Sequence, residues 1–327
     1  MGWGVLGMSA AVMAIYLPFC AAEVRLATVP PDAPPASLWQ EPSDLASRDL
    51  YAGPWGQSLA PDARARYVLV ERKHSGINPG MTVRDPLGQE WSVKQGSEDG
   101  YASEGQIEVT LSRVLSAVGY HQPPIYYLPS FTLVDDWGAH TEPGGRFRRK
   151  TTALKDRGEW SWQQNPFVGT PEYQGLLVIL LAFNSTDLKN SNNTVYHRTT
   201  DEGIVSWFVV RDLGSALGST GRLAPARGDA TAFDRSRFID GVKDGFIEFD
   251  YHGWHQELVE RRITPRDVAW ASRLLARLTA RQWADAFRAG GYPAATSATF
   301  IGVIQRRIRE GQRIGAADAP PFVKKGE

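Results

Sequence analysis

The sequence predicts an α+β fold whose strands gather ahead of its helices. Three observations carry that expectation. Between Ala65 and Lys94, short apolar runs are separated by tight-turn residues, above all Asp85-Pro86-Leu87-Gly88, as in paired antiparallel strands. From Asp234 onward the apolar period becomes helical, and Ile263-Thr264-Pro265-Arg266-Asp267 spells a capped helix start. The chain has 327 residues, 42% of them hydrophobic and 11 of them tryptophan, enough for one large domain or two smaller ones with a sizeable core.

Taken in order, Gly2 to Ala22 is apolar and uncharged, and Cys20-Ala21-Ala22 offers small residues before Glu23. This reads as a signal peptide over 1–22 that exports the chain to a periplasmic or extracellular compartment; left uncut, it would be a membrane anchor. Cys20 is the only cysteine, so a chain cleaved there has no disulfides and no thiolate chemistry. Residues 23–63 are rich in Pro, Ala, Ser and Asp and read as a linker or wrapped arm that can bury little. The folded domain is expected over 64–315, with a disordered tail at 316–327. The 36 basic residues balance 36 acidic ones, which argues against a general nucleic-acid binder, and Arg146-Phe147-Arg148-Arg149-Lys150 reads as a solvated face.

Ala65 to Arg72 is a strand by pattern, and Met81 to Lys94 reads strand, turn, strand, ending on Lys94. Glu104 to Val118 places Ile107, Leu111, Val114, Leu115 and Val118 on one helical face, with Gly119 as the stop. Glu108 adjoins that face. Glu104 competes with it, or serves as a capping charge in the first turn. Ile125 to Pro129 and Ser130 to Asp135 read as two strands, and Thr141 to Trp162 as an inserted hairpin or loop. Pro171 to Phe183 is a buried helix, with Thr170 or Gly169 as its N-cap. Asn193 to His197 and Ile204 to Arg211 form a hairpin around Thr200-Asp201-Glu202-Gly203. Helices follow over Val268 to Leu278, Arg281 to Ala289 and Thr296 to Gly311.

The buried helix delivers a polar loop, Asn184 to Asn193, and the hairpin returns the chain at Asp212-Leu213-Gly214. Asp187 can take a proton from a hydroxyl nucleophile, Lys189 can neutralise a transferring phosphoryl group, and Asn192 can offer a side-chain oxygen to a metal. Asp212 can hold metal ions that bridge nucleotide phosphates. The same Asn, Ser, Thr and Asp residues also make an ordinary helix-to-strand loop.

D-L-K-x-x-N over Asp187 to Asn192, followed by D-L-G at Asp212 to Gly214, resembles the catalytic loop and metal motif of protein kinases. A strand-end lysine followed by a glutamate-bearing helix, Glu108 to Leu115 with Gly119-Tyr120 and Pro123-Pro124 beyond, is similar to atypical kinases of the HipA and secretory-pathway types. The resemblance spans Met81 to Gly214. It implies a two-lobed fold with a small strand-rich lobe and a mainly helical one, and ATP and Mg2+ as cofactors. Lys94 would hold phosphates and Glu108 would orient it. Asp187 and Lys189 would be catalytic, and Asn192 and Asp212 would bind magnesium. No G-x-G-x-x-G precedes Lys94, Ser185-Thr186 stand where His-Arg is usual, and no A-P-E follows Asp212. These departures suit an atypical kinase acting on a hydroxyl acceptor (protein, sugar or small molecule), or a nucleotide-binding pseudokinase that serves as an interaction module. An unrelated binding protein with a fortuitous motif remains the third reading.

Two rival signals are weaker. His252 and His255 with Glu257 lack the H-E-x-x-H spacing of a zinc protease. Asn184-Ser185-Thr186 and Asn192-Asn193-Thr194 fit the N-glycosylation pattern, and a glycan on Asn192 would exclude it as a metal ligand.

Overall fold

A computed structural model describes residues 26–27, 30–73, 80–96, 104–221 and 226–317. The expected export signal or anchor, and all of the tail beyond 317, lie outside the described residues. Among the described residues no helix is long and apolar enough to cross a membrane.

The fold is mixed α+β. Its first part is a closed barrel of β1 (Arg66–Lys73), β2 (Gly80–Arg84), β3 (Glu90–Gln95), β4 (Ile125–Asp135) and β5 (Gly138–Arg149) in the order β1-β2-β3-β5-β4. β1 and β4 run parallel and close it. Strand side chains alternate between faces, so Tyr67, Met81, Val83, Trp91, Val93, Leu133 and Phe147 fill the interior, and their neighbours Ser92, Lys94, Arg146 and Arg148 point outward. α1 (Glu104–Ala117) links β3 to β4 and packs across the outside of β3, β4 and β5.

The structure differs from two strand expectations. Residues 125–135 form one continuous strand rather than two. The region expected as an insertion from 141 instead supplies β5, which pairs with both β3 and β4 and lies centrally in the barrel. Its Pro143-Gly144-Gly145 run resembles a loop because the backbones there come unusually close. A Cβ at Gly144 would sit 2.5 Å from the Leu128 carbonyl oxygen, and one at Gly145 would sit 2.9 Å from that of Lys94.

The second part contains α2 (Pro171–Ala182), capped by the Thr170 side chain, which accepts from the Tyr173 amide. A three-stranded sheet follows from β6 (Leu154–Asp156), β7 (Asn193–Thr200) and β8 (Gly203–Val210). Next come α3 (Ala230–Arg235), the hairpin β9 (Ile239–Lys243) and β10 (Phe246–Phe249), then α4 (Pro265–Ala276), α5 (Ala280–Ala289) and α6 (Ala294–Ala317). Thr264 with Asp267, and Thr279 with Gln282, close reciprocal capping boxes at the starts of α4 and α5. One continuous apolar core joins α1, α2, the β7–β8 hairpin and α4 to α6.

Residues 30–63 belong to the folded unit, so the expected boundary at 64 falls too late. Leu38, Leu45 and Leu50 are all buried in the core. Arg48 donates to the Ser116 and Ala117 carbonyls at 2.7 and 3.0 Å, and Trp39 Nε1 donates to Val118 O at 2.7 Å, which together cap α1. Composition hid this because three well-spaced leucines suffice to anchor a proline-rich arm. Leu38→Ala is accordingly expected to destabilise the fold by about 2–5 kcal/mol, read by denaturant unfolding. A loss below 0.5 kcal/mol, within the range of a surface substitution, would show that the arm is not part of the cooperative unit.

Candidate active site

Lys94 leaves the last outward position of β3 and is covered by the first turn of α1. Its Nζ lies 2.9 Å from Glu104 Oε2 and 2.8 Å from Asp212 Oδ1, tying strand, helix and the chain after β8 at one point. The Arg227 guanidinium occupies the other oxygen of Glu104. The expected partner, Glu108, does not reach Lys94. It pairs with Arg146 Nε at 3.0 Å, with side chains only 2% and 7% exposed. Four residues along a helix advance about 6 Å. Glu104 and Glu108 therefore meet two different cations on one barrel wall, and Lys94 and Arg146 are register partners there.

Asp212 is positioned by backbone. The Arg211 and Asp212 amides both point at the Asn192 carbonyl, at 2.7 and 3.4 Å, because β7 and β8 pair Asn193 with Val210 immediately before. Burial acts to raise the Asp212 pKa, but Lys94 by charge and hydrogen bond, with Arg146 and Arg211 behind it, holds the carboxyl below its usual range. Its side chain remains 45% exposed, so it faces solvent rather than the core. Two residues on, a Cβ at Gly214 would sit 2.7 Å from Glu104 Cβ, so glycine lets this segment lie against α1.

The loop carrying Asp187 is fixed from behind. Asn184 adopts φ 52° and donates to Gly218 O and Ser236 Oγ, both at 2.6 Å. Arg307 of α6, 3% exposed, donates to Ala182 O and Asn184 Oδ1 at 3.0 and 2.7 Å. Thr186 accepts from the Trp254 amide at 2.9 Å. Asp187 Oδ1 lies 2.9 Å from Lys189 Nζ, which also sits 4.6 Å from the centre of the half-exposed Trp254 ring. Asn192 Nδ2 donates to Asp187 O at 2.7 Å, linking the two ends of the motif.

Comparison with known proteins adds distant likenesses only. No family model matches the chain. No curated protein matches it. Its backbone is similar to a Helicobacter pylori proinflammatory kinase, CtkA, with TM-score 0.43 and 10% identity, covering 79% of this chain and 99% of that one. It is also similar to the Rio2 kinase from Chaetomium thermophilum, solved as an ADP/Mg2+–phosphoaspartate complex, with TM-score 0.29 and 13% identity, covering 75% and 72%. Both neighbours are kinases, and likenesses this distant assign neither fold nor activity by themselves.

The donor set suits a hard cation. Lys94 engages only Oδ1 of the exposed Asp212 carboxylate, and Asn192 adds an amide oxygen. Among the described residues no group of three or more His, Cys, Asp or Glu could hold a metal. A magnesium ion would need only one or two protein oxygens here and would complete its shell with water and phosphate. His252 and His255 instead pair with Asp250 and Glu257 at 3.2 and 2.6 Å. The buried Asn184 and Asn192 amides, 2% and 8% exposed, are not presented for glycosylation in the folded chain.

Sequence reasoning did not single out Arg146, Arg227, Arg307 or Trp254. Only Arg307 left a signal, as a cation within the apolar stripe Val303, Ile304 and Ile308.

Proposed function

We propose that the chain is an atypical, two-lobed kinase that transfers the terminal phosphoryl group of ATP to a hydroxyl acceptor. The observation that carries this reading is the Lys94 ammonium shared between Glu104 and Asp212, beside the loop that holds Asp187 and Asn192. Lys94 would bind phosphate oxygens while Glu104 keeps its ammonium on the cleft. Asp212 and Asn192 would hold magnesium, which when bound neutralises phosphate charge. Asp187 would orient the acceptor and take its proton as the hydroxyl oxygen bonds to the terminal phosphorus and the bridging P–O bond to ADP breaks. Lys189, paired with Asp187, would face the transferring group.

Asp187→Asn tests the assignment. It keeps shape and leaves the groups around Lys94 intact, so ATP affinity with magnesium should stay within about twofold while turnover falls by roughly 10²–10⁴-fold. Nucleotide titration and single-turnover phosphoryl transfer to water or an added hydroxyl acceptor separate the two effects. A wild-type chain that binds no nucleotide with magnesium would end the kinase reading. The Asp187–Lys189 ion pair favours a second reading, a nucleotide-binding module without transfer, because a carboxylate oxygen held 2.9 Å from an ammonium is less free to turn toward an acceptor hydroxyl. Tight binding with no turnover of any kind in wild type would decide for that second reading.

A further inference from the structure

The outward face of β5 carries more positive charge than its neighbours neutralise. Phe147 points into the barrel, so Arg146 and Arg148 both face out, opposite Lys94 and Ser92 of β3. Arg211 follows the last residue of β8, near enough for its charge to act on Arg148. Each cation around Arg148 has a carboxylate: Lys94 has Glu104 and Asp212, Arg146 has Glu108, Arg211 has Asp156 at 2.9 Å, and Arg227 has Glu104. Arg148 makes no hydrogen bond or ion pair with a described residue. It is half-buried, so protein encloses it while solvent still reaches it. Burial first, then the charges of Arg146 and Arg211, push its guanidinium below the usual range, and only Tyr196 and Glu108 act against them.

A half-dehydrated guanidinium beside two like charges is costly unless a counter-charge completes the site. The aliphatic stem does not account for the position, since a neutral side chain would line the same wall without repulsion. An anion from solvent would supply the counter-charge that the described residues do not. A guanidinium fork matches a phosphate in paired hydrogen bonds, and a phosphate offers the unneutralised Arg148 more acceptor oxygens than a single carboxylate does. We propose that Arg148, flanked by Arg146 and Arg211, centres an oxyanion subsite on the β5 wall that takes a phosphate group. The subsite stands on its own geometry; whether its phosphate belongs to a nucleotide or to a phosphorylated acceptor rests on the kinase reading.

The test is calorimetric titration of the full chain with pyrophosphate, without magnesium and at low salt, for wild type and Arg148→Gln. Loss of a charge-assisted contact should weaken binding by about tenfold or more, and the variant should melt no lower than wild type because a surplus cation is gone. Wild type that does not bind pyrophosphate, or a variant that binds it equally well, overturns the subsite. If Arg148→Gln fails to fold, phenylglyoxal modification of wild type, read by peptide mass, decides instead. Pyrophosphate should protect Arg148, and an unprotected Arg148 overturns the proposal. Parallel titration with ATP and magnesium separates the sources. Arg148→Gln losing both ligands places a nucleotide phosphate there, and losing pyrophosphate alone places the phosphate of another ligand there. Wild type that binds pyrophosphate but no ATP with magnesium sinks the kinase reading and leaves the subsite standing.

Discussion

Asp212→Asn is expected to lower the affinity for ATP in the presence of magnesium by on the order of 100-fold, the scale of losing one preorganised electrostatic contact in a site. Asp212 is half-exposed, engaged by Lys94 through one oxygen, and held by backbone against Asn192. Replacing its carboxylate with an amide preserves shape and removes the negative charge that Asp212 would offer to a cation. Without magnesium the direction should reverse. Lys94, Arg146 and Arg211 all act on this carboxyl, so neutralising it leaves a more positive cleft that repels free ATP less. The check is ATP titration with magnesium and with a chelator, with folding verified by circular dichroism. A variant indistinguishable from wild type in both conditions would remove Asp212 from the site.

Glu104→Gln and Glu108→Gln should separate function from stability, although the two residues sit four apart on one helix. Glu108 is fully enclosed with Arg146, and deleting its charge strands a buried guanidinium, at a cost of about 3–5 kcal/mol. The folded fraction of that variant should bind nucleotide nearly as wild type does. Glu104 is shared by Lys94 and Arg227 at the edge of the cleft, where Asp212 still holds Lys94 when Glu104 is neutralised. Its loss should cost little stability but weaken nucleotide binding by roughly tenfold or more, the scale of a charge-assisted hydrogen bond. Denaturant midpoints set beside ATP titrations read both effects. The opposite pattern, with Glu108→Gln silent in stability and severe in binding, would return Glu108 to Lys94.

The elements that could be read along the chain are those that short-range chemistry decides. Thr264-Pro265 with Asp267 starts α4 because the cap closes within four residues. The hairpin that returns Asp212 to Asn192 follows from its turn, Asp201-Glu202, and from paired apolar runs. The order of lysine, glutamate-bearing helix, polar loop and D-L-G was also legible. What tertiary structure alone decided is which charges meet. Glu104 and Glu108 share a helical face, so sequence spacing cannot choose between them; the choice depends on where α1 crosses β3 and β5. The Gly144-Gly145 pair looks like a loop until the Leu128 and Lys94 carbonyls are seen to press on it. Arg148 sits in a run of basic residues that reads as a solvated surface. Only the barrel's alternation and the pairing of the neighbouring cations show it as a charge without a partner among the described residues. Ion pairing and close backbone approach are long-range facts, set by sheet register and helix placement that local sequence does not encode.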